Sequence, residues 1–249
     1  MRVEKSNFSI GGNLESALKG EYQIEAKAIL KEGWLLTKNG KSVILAGIFL
    51  ILFIAMICTS VAFSVVGTYD LNALTPTSRL LLDVSLTVLI SPFIAAITMA
   101  GVSNSVGAVS PPSFLFYFVP RILVLSVASV LVSAVVQLGI IFFVLPGLFL
   151  AMATSFTLPL LLDKGFTPAK AMMISIKVVS FKWGEFAKIY GFFALLGLLV
   201  VVTLGVAIFW IAPFYFNVKG ILYREVFGIQ IKLLPAGSDK LKADNIFHA

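Results

Sequence analysis

The chain has 249 residues, 59% of them hydrophobic and only 12% charged, with a mean hydropathy of +1.02. Soluble domains carry about 25% charge, so a single water-exposed globule is excluded, and the apolar runs lack the alternation of a membrane β-barrel. The net charge of +7 lies beside those runs without any basic-aromatic motif, which points to span orientation and anionic lipid headgroups and to no nucleic-acid partner.

Cys58 is the only cysteine and His248 the only histidine, so no disulfide framework, metal site or cofactor is expected. Residues 1–20 are polar and include Gly11-Gly12, which predicts a flexible cytoplasmic start. Residues 21–38 are helix-compatible. Ile24, Ala28, Trp34 and Leu35 form a weak apolar side opposite Glu25, Lys27, Lys31 and Glu32, the pattern of an interfacial helix. The first span is expected over 42–67 and serves as its own insertion signal. A polar loop leads to Arg79, and a second span over 80–106 bends at Pro92. Pro111-Pro112 breaks the chain, and the aromatic run from Phe114 to Phe118 reads as an interfacial belt.

The third span covers 121–143, Leu145-Pro146-Gly147 makes a tight turn, and the fourth span covers 145–162. Thr167-Pro168 has the cap and first-turn chemistry of a helix start. Met172, Ile176, Val179 and Trp183 then share one helical face, giving a second interfacial helix over 168–183. Spans five and six are expected over 186–210 and 211–227, the last interrupted by Asn217 and Lys219. Residues 229–249 read as a polar cytoplasmic tail.

Two parts of the chain follow one plan. Lys38-Asn39-Gly40 and Gly47-Ile48-Phe49 answer Lys182-Trp183-Gly184 and Gly191-Phe192-Phe193 at one offset. Pro92-Phe93 and Gly107 answer Pro213-Phe214 and Gly228 at another. With six spans, Lys31, Lys38, Lys41, Arg121, Lys164, Lys170, Lys177, Lys182, Lys188, Arg224 and Lys232 fall on one side and Arg79 alone on the other, which places both termini in the cytoplasm. The expected fold is therefore an all-α integral membrane domain over 21–228. It has six transmembrane helices in two parallel-repeat units, each with an amphipathic interfacial helix, and a central helical hairpin.

Leu145-Pro146-Gly147-Leu148-Phe149-Leu150, the exit acid Asp163, Ala171, and Ser175 or Ser180, with a glycine before the next span, resemble a superfamily of bacterial six-helix membrane proteins. It includes the YciC-like family and the membrane domain attached to some glycerophosphodiester phosphodiesterases. The Lys27 to Gly40 segment resembles the N-terminal helix of the same families. The resemblance implies a six-helix fold and a bacterial inner-membrane address, and it brings no catalytic residues.

Catalytic constellations are missing from the sequence. No histidine pair flanks a glutamate, no Gly-x-Ser-x-Gly elbow occurs, and no glycine loop fits a phosphate, so no enzyme is expected. Lys219 is the strongest single clue. It lies roughly 7–9 Å along a helix from both Pro213 and Arg224, where a charge costs at least ~2.5–3.5 kcal/mol and usually faces a bundle interior or a wet cavity. Thr98 holds the matching place in span two, and Gln137 and Asn217 complete a candidate polar site, with Ser103, Asn104, Thr154, Ser155, Thr157 and Tyr215 as further members. The plainer reading is that Lys219 snorkels, or ties span six to Gln137 or a carbonyl. Lys170, Lys177, Lys182 and Arg224 are candidate contacts to lipid headgroups. Gly191 and Gly197, with Ala194 between, suggest close helix packing rather than a pocket.

The first functional reading is a non-enzymatic membrane protein acting through lipid or protein contacts, in an accessory or envelope-homeostasis role. The second is a transporter or channel for a small anionic solute or lipid, using Lys219. A third, an intramembrane hydrolase, lacks a base. Expected partners are membrane lipids, including anionic headgroups, and a protein partner or a second copy of the chain. Convergence of the polar residues of spans two, three, four and six on one cavity favours transport, and dispersal favours the first reading.

Overall fold

The computed structural model describes residues 7–67, 75–108 and 110–232. After β1 (Asn7–Ile10) and the short α1 (Leu14–Lys19) come α2 (Ala26–Asn39), α3 (Ser42–Val66) and α4 (Pro76–Ser105). Two 3-10 turns, Pro112–Phe116 and Val119–Arg121, lead into α5 (Ile122–Phe142). Then follow α6 (Val144–Ala153), α7 (Thr157–Lys164), α8 (Pro168–Phe181), α9 (Trp183–Val202), α10 (Ile208–Phe227) and β2 (Ile229–Lys232).

Among the described residues, five stretches are long and apolar enough to cross a membrane: Ser42–Val65, Pro76–Ser105, Pro112–Phe142, Val144–Lys164 and Trp183–Val202. Their outward faces carry bare leucine, valine and phenylalanine along α3, α5, α6 and α9, as lipid-facing helices do. The chain is a multi-pass helical membrane protein by this measure. α10, expected as the sixth span, is not among the five, because Lys219, Arg224 and Glu225 all fall within it. It is enclosed by protein instead: Pro213, Phe214 and most residues from Asn217 to Phe227 are buried.

The core forms where α10 lies against the second half of α4, buried almost without interruption from Ser91 to Ser105. Glycine permits this approach. A Cβ on Gly101 would overlap the Phe216 carbonyl, and one on Gly220 would overlap the Gly101 carbonyl, so only hydrogen fits at either position. α3 closes on α4 through Gly47, whose missing Cβ leaves room for Ile97. Pro92 cannot donate to the Val88 carbonyl. The Ser91 hydroxyl donates to that oxygen at 3.0 Å and the Ser126 hydroxyl of α5 reaches it at 3.4 Å, so the proline leaves no orphan acceptor. α4 begins at Pro76 rather than Leu80, capped by Thr75, whose Oγ1 accepts from the Ser78 N–H at 3.2 Å.

Several expectations are corrected. Residues 7–19, read as a flexible start, hold β1 and α1. β1 pairs antiparallel with β2, Asn7 opposite Lys232 and Ile10 opposite Ile229, so part of the expected tail is the partner strand; the tail from residue 233 lies outside the described residues, as do residues 1–6. The Gly12 N–H donates to the Arg224 carbonyl at 2.9 Å, and neither Gly11 nor Gly12 has space for a Cβ against the α10 backbone. The glycine pair is a close-packing device here. The aromatic run is also more than a belt, since the 3-10 turns bury Phe114, Leu115 and Phe118 and leave Phe116 outside. Gly191 and Gly197 face open space, with nothing within 4 Å of a Cβ at either.

The two amphipathic helices sit at one end of the bundle. α2 buries Ile29, Gly33 and Thr37 against α10 and leaves Trp34 and Leu35 exposed. α8 buries Ala171, Ser175, Val178 and Val179 against α5, α6 and α7. Of the apolar face read from the sequence, Val179 is buried, Met172 and Ile176 are half-buried, and Trp183, at the start of α9, is exposed.

Candidate functional site

The span expected over 145–162 is broken at residues 154–156, between α6 and α7. Pro159 explains the break, having no N–H for the Ser155 carbonyl. Ser175 of α8 repairs it: its hydroxyl donates to the Ala153 carbonyl at 2.5 Å and accepts from the Phe156 N–H at 3.2 Å. Irregular backbone at depth in a membrane protein persists where protein covers it or where it lines a cavity. Here both hold.

Beside the break lies a cavity of about 530 Å³. Hydroxyls reach its wall from four sides: Thr87 and Ser91 from α4, Ser129 and Ser133 from α5, Thr154, Ser155 and Thr157 from the broken helix, and Tyr215 from α10. Lys219 also lines it. The lysine is only 9% exposed, and among the described residues no carboxylate or hydrogen-bonding group is joined to its ammonium. A buried ammonium without an anion is expensive in a low-dielectric setting. Some polar residues of the second, third and fourth spans and of α10 meet here, while Thr98, Ser103, Asn104, Gln137 and Asn217 do not line the cavity.

The cavity continues into a groove between α4 and α5. Thr87 and Ser133 line both, and the groove runs on past Asp83, Gln137 and Arg79 to Pro76, the first residue of α4. Gln137 donates to the Ser133 Oγ at 3.0 Å. It thus belongs to the approach and does not hold Lys219.

Of the other expected members, Thr98 and Asn217 face elsewhere. Thr98 is fully buried and donates to its own helix at the Ile94 carbonyl, 2.7 Å away. Asn217 turns toward α2: its amide donates to Thr37 Oγ1 at 3.1 Å, and its oxygen accepts from Asn104 at 2.8 Å. Asn104 also donates to the Gly40 carbonyl at 2.9 Å. This network fastens the α2–α3 corner to the core. Sequence reasoning missed Ser91, Ser129, Ser133 and Thr87, whose only signal was three- and four-residue spacing of hydroxyls along α4 and α5.

The opposite end of the bundle is tied shut. Arg224 donates to both carboxylate oxygens of Glu32 on α2, at 2.8 and 3.0 Å, to Glu225 at 2.7 and 3.0 Å, and to the Ser105 carbonyl at the end of α4. Tyr223 donates to Asp163 at 2.7 Å, and Lys164 bridges Asp163 at 3.0 Å and the Gly228 carbonyl at 2.9 Å. Arg224 is thus engaged within the protein. Lys170 and Lys177 are exposed on α8, Lys170 over the Phe166 ring, and Lys182 lies over the ring of Tyr22.

No protein-family model, no curated protein and no solved structure matches the chain.

Proposed function

We propose that the protein is a carrier for an anionic molecule, a small solute or a lipid headgroup, which binds at Lys219 inside the membrane. The observation that carries this reading is the unpaired, buried Lys219 ammonium on the wall of a cavity to which α4, α5, α6–α7 and α10 all contribute hydroxyls. The groove past Gln137 and Arg79 is the way in, and the Arg224–Glu32–Glu225 cluster closes the far end. A discontinuous helix beside a ligand site suits such a role. In this reading α10 is the sixth crossing, its charges sheltered by α2 and α4, and both termini lie in the cytoplasm of a bacterial cell. The two units with their amphipathic helices then descend from a duplication, and the six-helix resemblance points to the same address. The chemistry is binding and movement, with no bond made or broken. Substituted-cysteine labelling in a Cys58→Ser background tests access to the site. Thr87→Cys, Ser133→Cys and Lys219→Cys should react with a water-soluble thiol reagent added from the groove side, and Asn217→Cys should not. A Lys219→Cys thiol inert from both sides would refute the reading.

A further inference from the structure

Between α6 and α9 a second cavity of about 570 Å³ runs alongside the first, and Ala151 and Tyr215 line both. Each volume falls in the roughly 300–1,000 Å³ range of ligand sites. The second is walled mainly by Leu148, Phe149, Met152, Ala187, Gly191 and Ala194. The small residues of α9 keep it hollow, since a Cβ on Gly191 would meet nothing within 4 Å. Leu145 and Leu148 on α6, which line the cleft, are also exposed on the outer surface.

Three hydroxyl side chains gather between the two cavities. The rings of Tyr190 and Tyr215 meet edge to face with centroids 6.1 Å apart, and Ser155 sits within reach of Tyr190. The Tyr190 hydroxyl faces both Ser155 and Tyr215, and it and Ser155 Oγ are shut off from solvent. The order of chemistry is then a cation, a band of hydroxyls and an apolar cleft.

We infer that the ligand is an anionic lipid, with its phosphate headgroup against Lys219, its glycerol passing Tyr215, and an acyl chain in the α6–α9 cleft. This rests on the reading of Lys219 as the anion site. A free solute leaves the cleft without a purpose, whereas a lipid uses both the cation and the cleft and enters sideways from the bilayer.

Native mass spectrometry of the full chain in maltoside micelles, titrated separately with phosphatidic acid, glycerol 3-phosphate and phosphatidylcholine, tests it. Phosphatidic acid should bind at one per chain, at least about tenfold tighter than glycerol 3-phosphate and phosphatidylcholine. Gly191→Leu should weaken phosphatidic acid by a similar factor and leave glycerol 3-phosphate unchanged, while Lys219→Met weakens both. Should Gly191→Leu fail to fold, Ala187→Leu places the same obstruction in the cleft. Equal binding of glycerol 3-phosphate and phosphatidic acid, unaffected by the cleft variants, would overturn the lipid inference and leave an anionic solute at Lys219. Binding of both anions unchanged by Lys219→Met would overturn the anion site, and the lipid inference with it.

Discussion

A methyl group on Gly220 of α10 would need the space that the Gly101 carbonyl of α4 occupies where the two helices cross. The two helices approach backbone to backbone there, and the polar work of the molecule is divided by that contact. Lys219 lies on the cavity side, and Asn217 is turned to α2. Gly101→Ala and Gly220→Ala should each destabilise the folded protein by about 1–3 kcal/mol through overpacking, read as a lower melting temperature in detergent. By contrast Gly191→Ala, facing open space, should leave melting unchanged or raise it through better helix propensity.

Arg224 holds α2 to α10 through a two-pronged contact with Glu32 and reaches the end of α4 as well. Its side chain is only 14% exposed, against 40% for Glu32. A double-mutant cycle of Arg224→Lys and Glu32→Gln should give a coupling of about 1–3 kcal/mol, because lysine cannot reproduce the fork. A coupling near zero in the melting data would place the pair among ordinary surface ion pairs.

Asn217 bridges Thr37 and Asn104 in a fully buried setting. Asn217→Ala leaves those partners short of a bond and should cost about 1–3 kcal/mol, with anion binding per folded molecule unchanged. Thr98→Val, which removes only a bond to its own helix, should be milder still. Titrating ligand against each variant, alongside its melting curve, separates these structural polar residues from the site.

Tyr22 donates to the Val178 carbonyl at 2.6 Å and lies ahead of α2, and burial pushes its hydroxyl up from 10.0 to about 12. A raised acid pKa means that the fold favours the neutral phenol. The stabilisation is complete below pH 10 and is lost as pH rises through about 12. The wild type minus Tyr22→Phe difference in tyrosinate absorbance should therefore rise near pH 12, and a difference that rises near pH 10 would show that the ring is not held against α8.

Much of this structure is legible in the residues. The apolar runs give the long helices, although the fifth ends at Val202 and the fourth is broken, Thr167-Pro168 starts α8 as read, and Pro92 sits inside a helix whose freed carbonyl finds two serines. Lys219 is legible because a lysine in an apolar stretch is costly unless the fold has a use for it. Pairings across great sequence distance are not legible. β1 finds β2 from the other end of the chain, and the close glycines are Gly11 and Gly12 rather than Gly191 and Gly197. A glycine's sequence context does not say whether a neighbour or a void lies opposite. The serines of α4 and α5 were passed over for the same reason, since a hydroxyl in a span bonds its own backbone equally well in either setting.

Anion binding at Lys219 is tested most directly by calorimetric titration of the purified chain with phosphatidic acid micelles at low salt, comparing wild type, Lys219→Arg and Lys219→Met. Saturable binding that survives the arginine, at reduced affinity, and vanishes with methionine while the variant melts normally is the predicted result. Equal affinity in all three proteins would contradict it.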